Sequence, residues 1–472
     1  MTTLNTKPLF VVTVGILVLS GCSSLAPTAE LSDVSMLVHE RTGETIVWDP
    51  TLSPPKNINT EIQSTLSQPL TMKSAVRVAL LNNSALRAAY AELGIGRADL
   101  VQAGLVHNPL FEAAVKFPQG GHSLNLDLGI TLELLDILFV SLKTEIAESE
   151  LDAKKAEVAG FVIGLIADVR DTFVSIQAAQ QIENLFEQAV TATAASSAAA
   201  AALYEAGNIN QLTFDTERYF HEETQLAQRE ANIRTLEARE QLNTLLGLNQ
   251  TTQWTLSLRL PSPSLSEAND GIERLALDAS LELAAARAKL LALGATHRIK
   301  NTTALIPVIE AGGVAERNER EWEAGPSFAV ALPILDWGTA RRAKSRAEII
   351  RAQEHYIGLQ IAIAATAKIA YARLEKERHK VSFYQKTVLP LQFQILDQTL
   401  HQYNAMQIGI FELLSAKREQ IAAGQAYIYA LRDFWMAQHA VDEILAGRLP
   451  SIQPFEAFDW PMVSAGTVQG GH

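Results

Sequence analysis

Three stretches of this chain return just under 200 residues further on, and no other feature limits its fold as tightly. "NSALRAAYAELG" (83–94) resembles "ASLELAAARAKL" (279–290), and "LYEAGNINQLTFDTER" (203–218) resembles "QYNAMQIGIFELLSAK" (402–417). "QLNTLLGL" (241–248) resembles "AVDEILAG" (440–447). Matches at one nearly constant displacement mean an internal duplication, so any architecture has to be built twice. Residues 70–248 and 268–447 are the two copies. Residues 249–267 link them through the Pro/Ser run "LRLPSPSLS" (258–266). Residues 22–69 read as an extended, proline-containing leader and 448–472 as a tail mobile at its end.

Each copy reads as helix, two strands, very long helix, turn, long helix. In the first copy, residues 72–106 are helical up to the pre-proline Asn108. Residues 137–205 contain no proline, and Val158, Val162, Leu165, Val169, Ile176 and Ala179 form a coiled-coil-like seam. About seventy residues at 1.5 Å each reach roughly 100 Å. "ATAASSAAAAAL" (192–203) is either a low-complexity linker or a helix whose small side chains allow close packing. The second copy repeats this pattern over 338–405, where Pro390 should bend the helix, and over 409–447.

The strands carry the clearest physics. In "SLNLDLGITLELL" (123–135), Leu124, Leu126, Leu128, Ile130, Leu132 and Leu134 alternate with Asn125, Asp127, Thr131 and Glu133. A half-buried strand of a water-soluble protein rarely needs that length, whereas a lipid-facing barrel strand of about 9 to 11 residues does. That places Asn125, Asp127, Thr131 and Glu133 toward a barrel lumen. "LFEAAVKF" (110–117) pairs with this strand across "PQGGH". In the second copy "SFAVALPIL" (327–335) alternates through Phe328, Val330, Leu332 and Ile334. Its partner (305–316) is assigned from the repeat, with 317–326 as the loop. Two hairpins give four strands per chain, and open sheet edges are not tolerated in lipid. Barrels need about eight strands or more, so further copies of the chain must complete this one.

The only cysteine, Cys22, follows Lys7 and an apolar run from Leu9 to Leu19. That run has the length of a signal segment and is too short to span a bilayer. "LSGC" (19–22) resembles the lipobox of bacterial lipoproteins, which implies cleavage after residue 21, acylation of Cys22 and, with Ser23 next, sorting to the outer membrane. The mature chain would then carry 38 basic against 52 acidic residues, net −14 rather than −13. Such a surface argues against nucleic acid as a partner. After residue 22 there is no run of 18 apolar residues, so no transmembrane helix is expected.

A lipobox, duplicated halves, two hairpins and helices of about 100 Å resemble the TolC-like outer-membrane factor family over residues 70–447. The resemblance implies a mixed α and β membrane protein, a homotrimer. Its transmembrane β-barrel has 12 strands, four per protomer, and continues as a long periplasmic α-helical coiled-coil barrel. It further implies a passive exit duct of a tripartite efflux system rather than an enzyme. The partners would be a periplasmic adaptor protein, an inner-membrane transporter and outer-membrane lipid. Family members resemble Y-x-x-G-x-x-S-x-x-D-L-L-x-A at the helix-hairpin tips that meet the adaptor. Here Tyr204, Gly207 and Asn210 match in the first copy, and Tyr403, Met406 and Gly409 in the second. Met406 stands where glycine is usual, which leaves the turn residue open between Met406 and Gly409. Glu412 falls where the family carries an acidic pore residue. It either lines a periplasmic constriction, where three carboxylates would attract cations, or is a solvated carboxylate on a helix face.

No HExxH, CxxC or paired-histidine spacing indicates a metal site or a cofactor beyond the lipid on Cys22. "GIGRADLVQAG" (94–104) lacks a dinucleotide-loop glycine. "TARRAKSRAE" (339–348) is a basic run after strand four, fitting either inner-leaflet headgroups or a solvated helix start. The competing class is a periplasmic helical lipoprotein, adaptor or scaffold, without a pore. The leading substrates are heavy-metal ions, from the likeness of residues 80–105 to heavy-metal efflux members, or else drugs and organic solutes.

Overall fold

The computed structural model describes residues 28–46, 56–117, 124–249, 252–257, 260–261, 271–306, 308–318 and 321–450. Cys22, most of the linker and residues 451–472 lie outside these. The chain divides into two compact units. One comprises Met1–Pro55, Ser84–Phe161 and Leu283–Gly358; the other comprises Lys56–Asn83, Val162–Glu282 and Leu359–His472. The duplication is contiguous in sequence, but each unit draws on both copies.

The leader is not simply extended. It contains helices α1 (Thr28–Thr42) and α2 (Lys56–Leu66). Two of its prolines directly precede a helix in sequence, where a missing N–H costs nothing: Pro27 stands before α1 and Pro55 before α2. Val34 and Val38, one turn apart, are buried. Glu30 pairs with Arg97 at 3.4 Å and Asp33 with Lys155 at 3.0 Å. These partners are distant in sequence, so local composition did not reveal the helix.

Each copy then follows one element order. The first runs α3 (Met72–Asn82), α4 (Ser84–Ala103), β1 (Leu110–Lys116), β2 (Asn125–Glu133), α5 (Leu134–Glu205) and α6 (Gln211–Leu246). The second runs α7 (Ile272–Ala279), α8 (Leu281–Thr302), β3 (Ile309–Asn318) and β4 (Glu321–Val330). It then continues through α9 (Thr339–Phe383), a π-helical turn (Tyr384–Val388), α10 (Leu389–Asn404) and α11 (Ile410–Leu445). The expected helix over 72–106 is broken at Asn83, whose extended backbone ends α3. The side chains at the break have another use. Asn82 Nδ2 donates to the Leu246 carbonyl and Asn83 Nδ2 to that of Leu245, each at 2.9 Å, capping the end of α6. Ser280 breaks the second copy at the matching place, and Leu281 N donates to the Gly447 carbonyl at 2.8 Å.

Helix α5 has 72 residues without interruption. Val158, Val162, Leu165, Val169 and Ile176 of the expected seam are buried, and Ala179 is half-buried. The alanine-rich run 192–203 is helical, with Ser196 and Ala200 buried, so small residues here serve close packing. Its counterpart in the second copy is interrupted. Pro390 cannot donate to a carbonyl four residues back, and the helix widens just before it: Leu389 N donates to the Tyr384 carbonyl, five residues back. One described helical stretch, Thr339–Asn404, contains a window of mean hydropathy 1.2, enough by length and composition to cross a membrane. This differs from the expectation of none. Alanine and isoleucine in "IAIAATAKIA" (361–370) raise the average without an unbroken apolar run.

The four strands form one antiparallel sheet in the order β1-β2-β3-β4. Strand ends differ from expectation because pairing, not pattern alone, sets them. β1 stops at Lys116, β2 spans Asn125–Glu133 rather than 123–135, and Leu134 already starts α5. β3 begins at Ile309 and runs on to Asn318. β4 begins at Glu321, inside the expected loop, because every residue from Glu321 to Val330 finds a partner in β3.

Candidate functional site

Register divides the sheet into two chemically distinct faces. Ala114 lies opposite Asp127, which lies opposite Glu316, which lies opposite Glu323. The expected lumen residues Asn125, Asp127, Thr131 and Glu133 therefore share one face with Glu112, Lys116, Glu310, Glu316, Glu321 and Glu323. Lys116 forms an ion pair with Asp127 across β1 and β2. Every other charged side chain named on this face is acidic. The opposite face carries Phe111, Val115, Leu126, Leu128, Ile130, Leu132, Trp322, Phe328 and Val330, with Arg317 as its one charge among the described residues. It is uncovered: Phe111 is 66% exposed and Phe328 75%. Edge strands β1 and β4 each have one side unpaired. The acidic residues of β3 and β4 escaped the sequence reading. Gly312, Gly313 and Val314 blur the alternation of β3, and "EWE" (321–323) falls inside the expected loop 317–326. The glutamates spaced by two in that triplet were the available signal.

The two helix-hairpin tips are built alike from unlike residues. At the first, Asn208 N donates to the Leu203 carbonyl at 2.8 Å and Gly207 takes φ +75°. This is a Schellman-type ending, which requires a left-handed residue. Asn210 then caps α6, its Oδ1 accepting from Thr213 N at 2.9 Å. Tyr204 stacks on Phe214 with ring centroids 5.2 Å apart. At the second tip Gln407 N donates to the Gln402 carbonyl at 2.9 Å, Met406 N donates to the Tyr403 carbonyl, and Met406 takes φ +59°. Met406 is thus the turn residue. Gly409 is not, since it lies in extended backbone (φ −79°) as the N-cap of α11. Met406 is the one described non-glycine residue with positive φ, and its side chain is 94% exposed. Glu412 lies in the first turn of α11, exposed. Its carboxylate folds back over Gly409, to within 2.9 Å of where a Cβ there would stand. That position suits a carboxylate, because the helix N-terminus is the positive end of its dipole.

Two polar clusters in the same unit had no motif to announce them. Glu217, 4% exposed, accepts from Ser196 Oγ on α5 and from the Arg418 guanidinium on α11, which also covers the Phe220 ring at 3.9 Å. At the other end of α11, Glu443 pairs with Arg448 at 3.1 Å, and His439 Nδ1 lies 2.7 Å from Asp171. Arg448 rests on Gly164, where any Cβ would collide with its guanidinium. Burial pushes the Glu443 carboxyl up to about 7; Arg448 opposes this, while Asp168, Asp171 and Glu282 add to it. Among the described residues, no group of three or more His, Cys, Asp or Glu could hold a metal ion.

Residues 75–248, nearly the whole first copy, match the family model described as "Outer membrane efflux protein". Over that span the chain is similar to the outer membrane efflux proteins. Members of this family are channels rather than enzymes. The chain is 24% identical over 392 residues to the cobalt-zinc-cadmium resistance protein CzcC of Cupriavidus metallidurans, covering 80% of this chain and 90% of that protein. Its fold is similar to that of the outer-membrane channel OprN (TM-score 0.67, 20% identity, 85% of this chain and 96% of that one). It is equally similar to the Campylobacter jejuni CmeC outer membrane channel (TM-score 0.67, 15% identity, 89% and 93%). The fold of CusC also matches, at TM-score 0.67 and 16% identity over 80% of this chain and 92% of that one.

Proposed function

We propose that the chain is one protomer of a trimeric exit duct in the outer membrane. The observation that carries this is a four-stranded sheet with one uncovered apolar face, one acidic face and two unpaired edges. In lipid those edges need partners. Three copies joined β4 to β1 would close a 12-stranded barrel, apolar outward, with Asn125, Asp127, Thr131 and Glu133 in the lumen. The helices would continue it into the periplasm, where the tips around Tyr204, Gly207, Asn210, Tyr403, Met406 and Gly409 would meet an adaptor fed by an inner-membrane transporter. Acylated Cys22 would tether each N-terminus. Metal cations are the favoured cargo, supported by the name of the CzcC relative and by the carboxylates of Glu112, Asp127, Glu133, Glu310, Glu316, Glu321 and Glu323 on one face. Glu412 would add a ring of three carboxylates at the periplasmic constriction.

Planar-bilayer recording of the purified full chain tests this reading. It predicts discrete channels that prefer cations, and in Glu412→Gln a weaker block by divalent cations. A protein that inserts no channels is not a duct, and block unchanged in Glu412→Gln removes Glu412 from the constriction.

A further inference from the structure

Beyond Val330 the apolar face of β4 does not end. Residues 331–337, "ALPILDW", leave the sheet exposed: Leu332 and Ile334 at 71%, Leu335 at 97% and Trp337 at 58%. Leu332 and Ile334 keep the parity of Trp322, Phe328 and Val330, so the uncovered surface is continuous with the face of the sheet. The backbone beneath is held in place. Ala331 N donates to the Val308 carbonyl at 3.1 Å, Gly338 N to Asp336 Oδ1 at 2.8 Å, and the Arg342 guanidinium to the Trp337 carbonyl at 3.2 Å. Gly338, at φ +67°, packs so closely on Ala304 that an added Cβ would stand 2.6 Å from the Ala304 methyl.

Directly after this platform come Arg341, Arg342, Lys344 and Arg346, in a chain whose net charge is −13. They occupy the first two turns of α9, whose first turn carries no acidic residue. Cations in the first turn oppose the helix dipole, and there Arg341 and Arg342 have partners in Asp336 and the Trp337 carbonyl. Arg341 is offset by Asp336 at 3.2 Å; Lys344 and Arg346 are exposed. The matching junction of the first copy differs. Ile137 and Leu138 are exposed there too, but its one cation, Lys143, is engaged by the buried Asp136.

An apolar segment, then a tryptophan, then a basic cluster is the order of environments across a membrane interface: hydrocarbon, glycerol level, headgroup phosphate. We propose that residues 332–346 are an interfacial anchor that seats Trp337 at the membrane boundary and places Lys344 and Arg346 on anionic phospholipid headgroups. The inference rests on the sheet being membrane-embedded, and its partner is the phospholipid of that same membrane.

The test reconstitutes the full chain, Trp337→Phe and Lys344→Gln/Arg346→Gln into vesicles. These contain brominated phosphatidylglycerol or brominated phosphatidylcholine at equal mole fraction, and conductance is recorded on each preparation. The Trp337 signal is the emission lost in Trp337→Phe. Brominated phosphatidylglycerol should quench it at least twofold more than brominated phosphatidylcholine, and the double variant should abolish that preference while still conducting. Equal quenching by both lipids in a conducting wild type overturns headgroup recognition. Conducting protein whose Trp337 neither lipid quenches has this segment covered by protein, such as a second copy, which overturns the anchor. Vesicles without conductance or insertion remove the embedded sheet, and the anchor with it.

Discussion

The two copies differ most along their long helices. α5 runs unbroken for 72 residues and buries Val158, Val162, Val169 and Ile176 against its own chain. α10 corresponds, at the repeat displacement, to the alanine-rich end of α5, where Ser196 and Ala200 are buried; it buries no residue itself and leaves Leu391, Phe393, Ile395 and Leu400 exposed. Both copies bury a seam farther from the tips, through Val158 to Ile176 in α5 and Ile363, Leu374 and Val381 in α9, but toward the tips only the first stays packed. On the proposed trimer, this exposed face of α10 would be available to pack against a neighbouring protomer. Phe393 and Leu400, seven residues apart, lie on one helix face, and each contributes roughly 1.5–3 kcal/mol if buried between copies. Phe393→Ser/Leu400→Ser should therefore shift the purified protein from oligomer to monomer in analytical ultracentrifugation while helical circular dichroism stays unchanged. A double variant that sediments as the wild type would assign that surface to something other than a second copy.

The copies are also fastened together within one chain. Arg418→Ala leaves the Glu217 carboxylate buried without its cation, a loss of about 3–5 kcal/mol. Glu217→Gln/Arg418→Met removes both charges and should recover most of that in thermal melts. A single variant as stable as the wild type would mean that this clasp between α6 and α11 contributes little.

The Glu443 cluster makes a second link, sensitive to pH. Its folded-state carboxyl is raised above the ordinary value of 4.5, so the folded state holds the proton more tightly than the unfolded chain. Its stabilising contribution is complete below about pH 4.5 and is lost as pH rises through about 7. Glu443→Gln keeps the neutral form at every pH. It should be more stable than the wild type at pH 8, by a few kcal/mol at most, and equal to it near pH 4.5. Melting curves recorded across that range give the answer, and a constant difference at all pH values would remove Glu443 as the titrating group.

The tips provide the smallest and cleanest contrast. Both use a left-handed residue, but one is glycine and the other Met406. Met406→Gly should stabilise its turn by about 1 kcal/mol, and Gly207→Met should destabilise its own by about 1–2 kcal/mol. If Met406 is kept for adaptor contact, Met406→Gly should weaken adaptor binding in a pull-down or by surface plasmon resonance while raising the melting temperature. Gains in both would leave the strained methionine without that role.

Much of this was legible in the sequence, and the boundary of legibility has physical causes. The leucine alternation of β2 and the proline-free span of α5 are local signals, and each corresponds to an element in the structure. β4 starts earlier than its pattern predicts because its first half, Glu321–Gly325, gains its form from pairing with β3 rather than from an apolar pattern of its own. Met406 as the turn residue follows from backbone geometry that a non-glycine side chain does not advertise. The Glu217–Arg418 clasp joins residues 201 positions apart and leaves no periodic trace. The residues of the acidic face were visible individually, but register alone revealed that they share a side.

Native mass spectrometry of the detergent-extracted species that forms channels bears most directly on the central claim, that separate copies of a four-stranded sheet close one barrel. The account predicts three chains in every conducting particle, because four strands with two open edges cannot seal alone. A conducting particle holding a single chain would contradict it.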